Sequence, residues 1–235
     1  MKKIVKKIIY TLKFGYKADS ETYIKYLKKK GVNIGKNVNF YSPHTIRIDI
    51  TTPYMIKIGN NVHITAGVTI LNHGYDWIVA NEKYGNVFGC VGTVKIGNNV
   101  FIGNNATILK GAEIGDNVII GANSLVNNKC LKEGVYAGVP AKYIMSLDEY
   151  IKKRISAQDE EAKNIVYEYY NKYKKIPDKK ILRAYFWLFE LRNDTIDPFF
   201  DDINHRNDKT NKMFYNTKPL YNGYDEFIKS LKLDS

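Results

Sequence analysis

Aliphatic residues recur along the middle of the chain with a period of six. Ile96, Ile102, Ile108, Ile114, Ile120 and Val126 follow without interruption, and four places after each stand Val100, Ala106, Ala112, Val118, Ser124 and Cys130. Glycine follows the leading residue at Gly97, Gly103, Gly115 and Gly121. An earlier stretch keeps the register with Ile58, Ile64 and Ile70, and Ile34-Gly35 with Val38 and Phe40 begins it. A helix of 3.6 residues per turn would smear these positions around its surface. A plain alternating strand would make the second and fourth offsets equivalent, yet Asn98, Asn104 and Lys110 occupy the second. The pattern predicts a parallel β-helix. Each hexapeptide supplies a short strand and a turn, three close one triangular coil, and the aliphatic side chains stack inward. Asn-Asn and Asp-Asn pairs at 60–61, 98–99, 104–105 and 116–117 fall where turns need left-handed backbone. Strands of a sandwich would instead recur at about 8–12 residues.

The repeat breaks between Ile70 and Ile96, so about twenty residues, 74–93, leave the coil as a loop. Loops of that length in compact domains are functional or disordered, and His73, Asp76, Trp77 and Tyr84 favour function here. Residues 1–30 read as a helical arm: Ile4, Ile8 and Leu12 share one face, and a second helix runs from Ser20 to near Gly31. After Lys142 the pattern changes. Ser146-Leu147-Asp148-Glu149 is a capping box that opens a helix to about Lys174, and Pro177 restarts a helix through Tyr185-Phe186-Trp187-Leu188-Phe189. The tail around Pro198 reads as irregular. The chain thus divides into the arm (1–30), a mainly β domain (31–145) and a C-terminal helical extension (146–235), which reads as a cap over the coils or a subunit contact.

Apolar residues at 44% and charged residues at 26% exclude a disordered chain. No run of 18 apolar residues exists, and lysines interrupt the apolar start, so neither a membrane-spanning helix nor a signal peptide is expected. Cys90 and Cys130 make no disulfide framework, which points to a reduced cytoplasm. The net charge of +12 suggests nucleic acid until it is located: residues 1–30 hold ten lysines against Asp19 and Glu21. The excess is therefore local, and no nucleic-acid partner is expected. The arm reads either as a cap on the first coil or a neighbouring subunit, the favoured reading, or as a basic helix resting on the inner face of an anionic membrane.

Four segments, Asn72-His73-Gly74-Tyr75-Asp76-Trp77, Val94 to Gly103, Ile119 to Ser124 and Ala137-Gly138-Val139-Pro140-Ala141-Lys142, together resemble the hexapeptide-repeat acyltransferases. The likeness covers about residues 31–145 and points to the bacterial maltose-, xenobiotic- and capsular-polysaccharide-type O-acetyltransferases. It implies a left-handed parallel β-helix, against the usual right-handed crossover. It also implies acetyl-CoA as acyl donor, no metal, a sugar or polysaccharide hydroxyl as acceptor, and a homotrimer with active sites between subunits.

Acyl transfer to a hydroxyl needs a base and donors for the tetrahedral oxyanion. His73 matches the family's catalytic histidine in the Asn-His-x-x-Asp pattern, and either Asp76 or a backbone carbonyl orients its ring. Asn72, Trp77 and Asp49 match acceptor-side positions, while His63 reads as a solvent-facing turn residue. No dinucleotide or phosphate glycine loop is present, so the β-helix itself must hold the donor. The resemblance places the pantetheine arm along Gly103, Asn104, Gly121 and Ala122, and the adenine and phosphates at Pro140 and Lys142. Lys129 stands one position from a lysine common in relatives, and Phe101, where many relatives have tryptophan, is expected to be buried. Three other readings compete. An N-acetyltransferase on an amino-sugar nucleotide shares the fold and the base. A zinc hydratase needs a third histidine that neither His63 nor His73 has nearby. A non-catalytic scaffold would be expected to show regular threonine ladders, which are absent.

Overall fold

The hexapeptides fold into short strands stacked in three sheets. The structure, a computed structural model, describes residues 9–192 and 208–233. The first sheet runs β1 (Asn33–Ile34), β4 (Ile56–Ile58), β7 (Val94–Ile96), β10 (Glu113–Ile114) and β13 (Lys129–Cys130). The second runs β2 (Asn39–Phe40), β5 (Val62–Ile64), β8 (Val100–Ile102), β11 (Val118–Ile120), β14 (Gly134–Ala137) and β15 (Lys142–Met145). The third holds β3 (Arg47–Ile48), β6 (Thr69–Ile70), β9 (Thr107–Ile108) and β12 (Leu125–Val126). The chain visits the sheets in turn, and every pairing is parallel except the closing β14–β15 hairpin. Ile96 lies opposite Ile114, Val100 opposite Val118 and Thr107 opposite Leu125. Three hexapeptides therefore close one coil, and the domain is a left-handed parallel β-helix.

Both aliphatic series face inward. All twelve positions from Ile96 to Cys130 named above are buried, as are Ile58, Ile64 and Ile70. The residue between two inward positions points out, as at Lys57, Lys95 and Phe101. Phe101 is thus a correction: it lies on the outer face of the second sheet between His63 and Ile119, not in the core. At the corners Asn61, Asn99, Asn105 and Asn117 take φ values of 53–58°. Their short polar side chains tolerate this conformation, and some bond along the stack: Asn99 Nδ2 donates to Asn117 Oδ1 at 2.7 Å, and Asn37 Nδ2 to Asn61 Oδ1 at 3.0 Å.

The glycines serve coil stacking. A Cβ on Gly103 would lie 2.5 Å from the Ala122 nitrogen, and one on Gly121 2.9 Å from the Ala137 Cβ. The amides of Gly103 and Gly121 already donate to Ile120 and Tyr136 of the next coil, both at 2.8 Å. The neighbouring coil thus fills the space over these two glycines and takes their N–H groups.

The arm's second helix, Ser20–Lys30, is capped by the Asp19 side chain, which accepts from the Thr22 amide at 2.8 Å. Its Tyr23 and Leu27 are buried in one cluster with Val32, Ile34 and Phe40 of the first coil. This helix therefore covers the open end of the stack. Residues 9–14 are helical and Leu12 is exposed, whereas Ile4 and Ile8 of the expected stripe lie outside the described residues.

The chain separates into two compact units, residues 1–150 and 151–235. The helix Leu147–Tyr173 starts at the expected capping box: the Glu149 amide donates to Ser146 Oγ at 3.2 Å, and the Ser146 amide to Glu149 Oε2 at 2.7 Å. The second unit has its own core of Ala162, Val166, Leu182, Phe186, Phe189, Phe214 and Phe227. The helix expected after Pro177 is a 3-10 run, Lys179–Leu188, kinked at Leu182. The kink lets Leu182, Phe186 and Leu188 all be buried. The segment around Pro198 lies outside the described residues. No described helix is long and apolar enough to cross a membrane.

Ile102→Ala empties a fully buried site in the middle coil and should cost about 2–5 kcal/mol of stability. Lys57→Ala, on the outer face, should change it by no more than about 0.5 kcal/mol. Denaturant melts of the two variants check both.

Candidate active site

The corner between the third sheet and the first is where the coil departs from its six-residue step. After β9 the corner is tight, with Gly111 at φ 82° and its amide donating to Thr93 at 2.9 Å. After β6 the chain leaves as the long loop, and after β3 it leaves through residues 49–55, with a 3-10 turn at Pro53–Met55. Ile48 pairs with Ile70 and Ile70 with Ile108, so the three corners lie in one stack. The Asp49 amide accordingly donates to the Ile70 carbonyl at 2.9 Å, which sets Asp49 beside the start of the loop.

That placement brings two groups from separate corners together. His73 Nδ1 donates to Asp49 Oδ2, with the aspartate side chain 4% exposed and the imidazole 21%. Asp49 also accepts from the Thr51 amide at 2.9 Å and from the Asn72 amide at 3.3 Å. Burial pushes its carboxyl upward, but the bonds from Thr51, His73 and Asn72 outweigh it and hold Asp49 below the ordinary carboxylate range. An ionised carboxylate only accepts, so Nδ1 carries a hydrogen, and in the neutral ring Nε2 is the lone-pair nitrogen. The Tyr75 ring stands edge-on to the imidazole, with centroids 4.8 Å apart.

The loop is clamped at its base. His73 forms an antiparallel bridge with Val91, the Gly74 amide donates to Cys90 at 2.7 Å, and the Gly92 amide donates to Asn72 at 2.8 Å. Beyond this stem the loop forms a helix, Trp77–Tyr84, with Trp77 half-buried at its start.

Asp76 does not orient His73. It is exposed just before the loop helix and accepts from the Cys90 thiol, which holds its carboxyl below the ordinary range. A Cβ on Gly74 would lie 2.6 Å from Asp76 Oδ1 and 3.2 Å from Cys90 Sγ, so the carboxylate folds across Gly74 toward the returning strand of the stem. Asn72, expected on the acceptor side, is fully buried, and its Nδ2 donates to the Thr52 carbonyl at 2.7 Å and to Thr52 Oγ1 at 2.8 Å. It is not available to an acceptor. The sequence assigns no role to Thr51, Thr52 or Tyr75; the one clue to the pairing is that Asp49 follows Ile48 as Leu71 follows Ile70.

The other candidates lie elsewhere. His63 is mid-strand in β5, not in a turn, and its Nδ1 lies 3.1 Å from the Tyr41 hydroxyl. The His44 ring stacks on Phe14 at 4.3 Å. Asn104 and Ala122 are exposed at the corner between the second and third sheets, a different edge of the coil from His73. Lys129 is exposed, with its ammonium 3.9 Å from the carboxylate of Glu113, its neighbour in the sheet. Pro140 and Lys142 are exposed where β14 turns into β15. Among the described residues no group of three or more His, Cys, Asp or Glu side chains is arranged to hold a metal ion.

The family model for the bacterial transferase hexapeptide (six repeats) matches residues 93–128. Protein CapG of Staphylococcus aureus is 39% identical over 138 residues, which span 57% of this chain and 76% of CapG. The chain belongs to the hexapeptide-repeat transferases. The galactoside O-acetyltransferase of Escherichia coli K12 is 32% identical over 119 residues, 51% of this chain and 57% of that protein. A putative acetyltransferase of Bacillus subtilis, YvoF, is 31% identical over 129 residues, 55% of this chain and 68% of that protein. As a hexapeptide-repeat transferase of this kind, the protein is an acyltransferase.

The depressed Asp49 carboxyl links stability to pH. Its folded pKa lies below its unfolded one, so its contribution is present above the ordinary carboxylate range, about pH 4, and is lost as pH falls through the folded value. Asp49→Asn should therefore flatten the acid limb of a stability–pH profile, and the two proteins' profiles should converge at the acid end.

Proposed function

We propose that the chain transfers an acetyl group from acetyl-CoA to a hydroxyl of a sugar or surface polysaccharide, with His73 as general base. The observation that carries this reading is the Asp49–His73 pair, which leaves Nε2 as the lone-pair nitrogen of a partly exposed ring. The acceptor hydroxyl loses its proton to Nε2 as its oxygen attacks the thioester carbonyl. Asp49 stabilises the imidazolium that forms, and the imidazolium returns the proton to the departing sulfur as the carbon–sulfur bond breaks. The likeness to a galactoside O-acetyltransferase supports a sugar hydroxyl as acceptor.

Pro140 and Lys142 suit the far end of the donor, because both are exposed and a lysine needs no fixed geometry to meet a phosphate. Asn104 and Ala122, proposed to flank the pantetheine arm, lie on a different edge of the coil from His73. A second copy offers that edge to the base, so we read the active enzyme as a homotrimer with sites between subunits.

His73→Ala should lower turnover by about a hundredfold or more, read as thiol release from acetyl-CoA with a panel of sugars. Asp49→Asn should lower it in the same direction, by about tenfold or more. Asp76→Asn should stay within about threefold of wild type, since a hundredfold marks loss of base catalysis. Sedimentation should give three times the chain mass of 27.0 kDa, and an active monomer would overturn the shared site.

A further inference from the structure

We propose that Asn72 is the positioning residue of the base: its buried side chain locks the corner 49–55 to the loop stem, so that Asp49 meets His73. The inference rests on the reading of His73 as base. One residue here bonds two other segments, the corner 49–55 and the returning strand of the loop stem. Its side-chain amide donates to the Thr52 carbonyl and hydroxyl at 2.7 and 2.8 Å. Its backbone amide donates to Asp49 Oδ2 at 3.3 Å, and its carbonyl accepts from Gly92 at 2.8 Å. The next residue along the chain is His73 itself.

The side chain is oriented by chemistry. The Thr52 carbonyl only accepts, so Nδ2 must face it and Oδ1 must face away. Oδ1 is then buried without a donor among the described residues. An unsatisfied buried oxygen is destabilising, and an apolar residue of similar size would avoid it. The polar side chain is therefore explained by its Nδ2 end, the contact with Thr52. The corner it holds contains no strand, lying between β3 and β4, and exposes Ile50, Thr51 and Tyr54. Without the Asn72 side chain the corner beyond Asp49 loses its tie to the loop stem, and the carboxylate is held only by the Asp49 amide on Ile70 and the backbone amides of Thr51 and residue 72. Being fully buried, Asn72 acts through the pair and not on substrate.

The test reads the low-field NMR resonance of the His73 Nδ1 proton, assigned by its loss in His73→Ala. In Asn72→Ala that resonance should disappear or broaden, and kcat should fall about tenfold or more while KM for both substrates stays within about twofold. An intact resonance overturns the proposal, as does an unchanged kcat with a raised acceptor KM. Should Asn72→Ala fail to fold, Thr52→Val, a near-isosteric change that removes one of the two acceptors, is read in the same way. A weakened resonance supports the proposal and an unchanged one overturns it. The base reading fails separately: His73→Ala would then keep wild-type turnover, and the resonance in the Asn72 variant would still decide whether Asn72 positions the ring.

Discussion

Inward stacking of aliphatic side chains, coil on coil, is the constraint on which the rest of this molecule depends. In the regular coils aliphatic residues stack at eighteen-residue intervals, Ile96 over Ile114 and Val100 over Val118. A slip of one residue would turn the whole series to solvent, so burial fixes the register. The backbone N–H and C=O groups then pair between coils, and the corner asparagines pair with each other. Even the glycines follow from this, since their missing side chains make room for the adjacent coil.

Most of that was legible in the sequence because it is periodic. The six-residue step predicts the inward positions, the left-handed asparagine corners and the interruption after Ile70. What breaks the period could not be read in the same way. The coils containing β3 and β6 pair residue 48 with residue 70, a spacing of twenty-two rather than eighteen. Counting by hexapeptides therefore does not bring Asp49 to His73. Asp76, three residues along the chain, is the nearer carboxylate in sequence, but the Gly74 turn sends it to Cys90. Phe101 was misplaced for a related reason. An aromatic residue suggests burial, yet the alternation within β8 puts it outside between two inward aliphatics.

The place of His73 at the loop mouth was legible through its motif, while the buried contacts of Asn72 with Thr52 were not. Side chains that contact substrate and side chains that brace a loop have the same composition and occur in the same motifs. Only burial separates them, and burial depends on what lies across the corner. In the C-terminal unit the aromatic run was visible but not its geometry. A 3-10 run with a kink buries Leu182, Phe186 and Leu188 where a helix was expected.

A regular coil of this kind has little chemistry to offer. Its inward side chains are aliphatic, its amides are committed to the next coil, and its corner side chains satisfy one another. A reactive pair has to arise where the repeat fails, and here extra residues leave the coil twice at the same edge, in consecutive coils. The corner 49–55 delivers the carboxylate and the loop after Ile70 delivers the imidazole. Because Ile48 and Ile70 are held in register by the core beneath them, the two departures begin one above the other. The stiffness of the stack is thereby passed to the pair, and a geometry fixed by rigid elements is what preorganisation consists of.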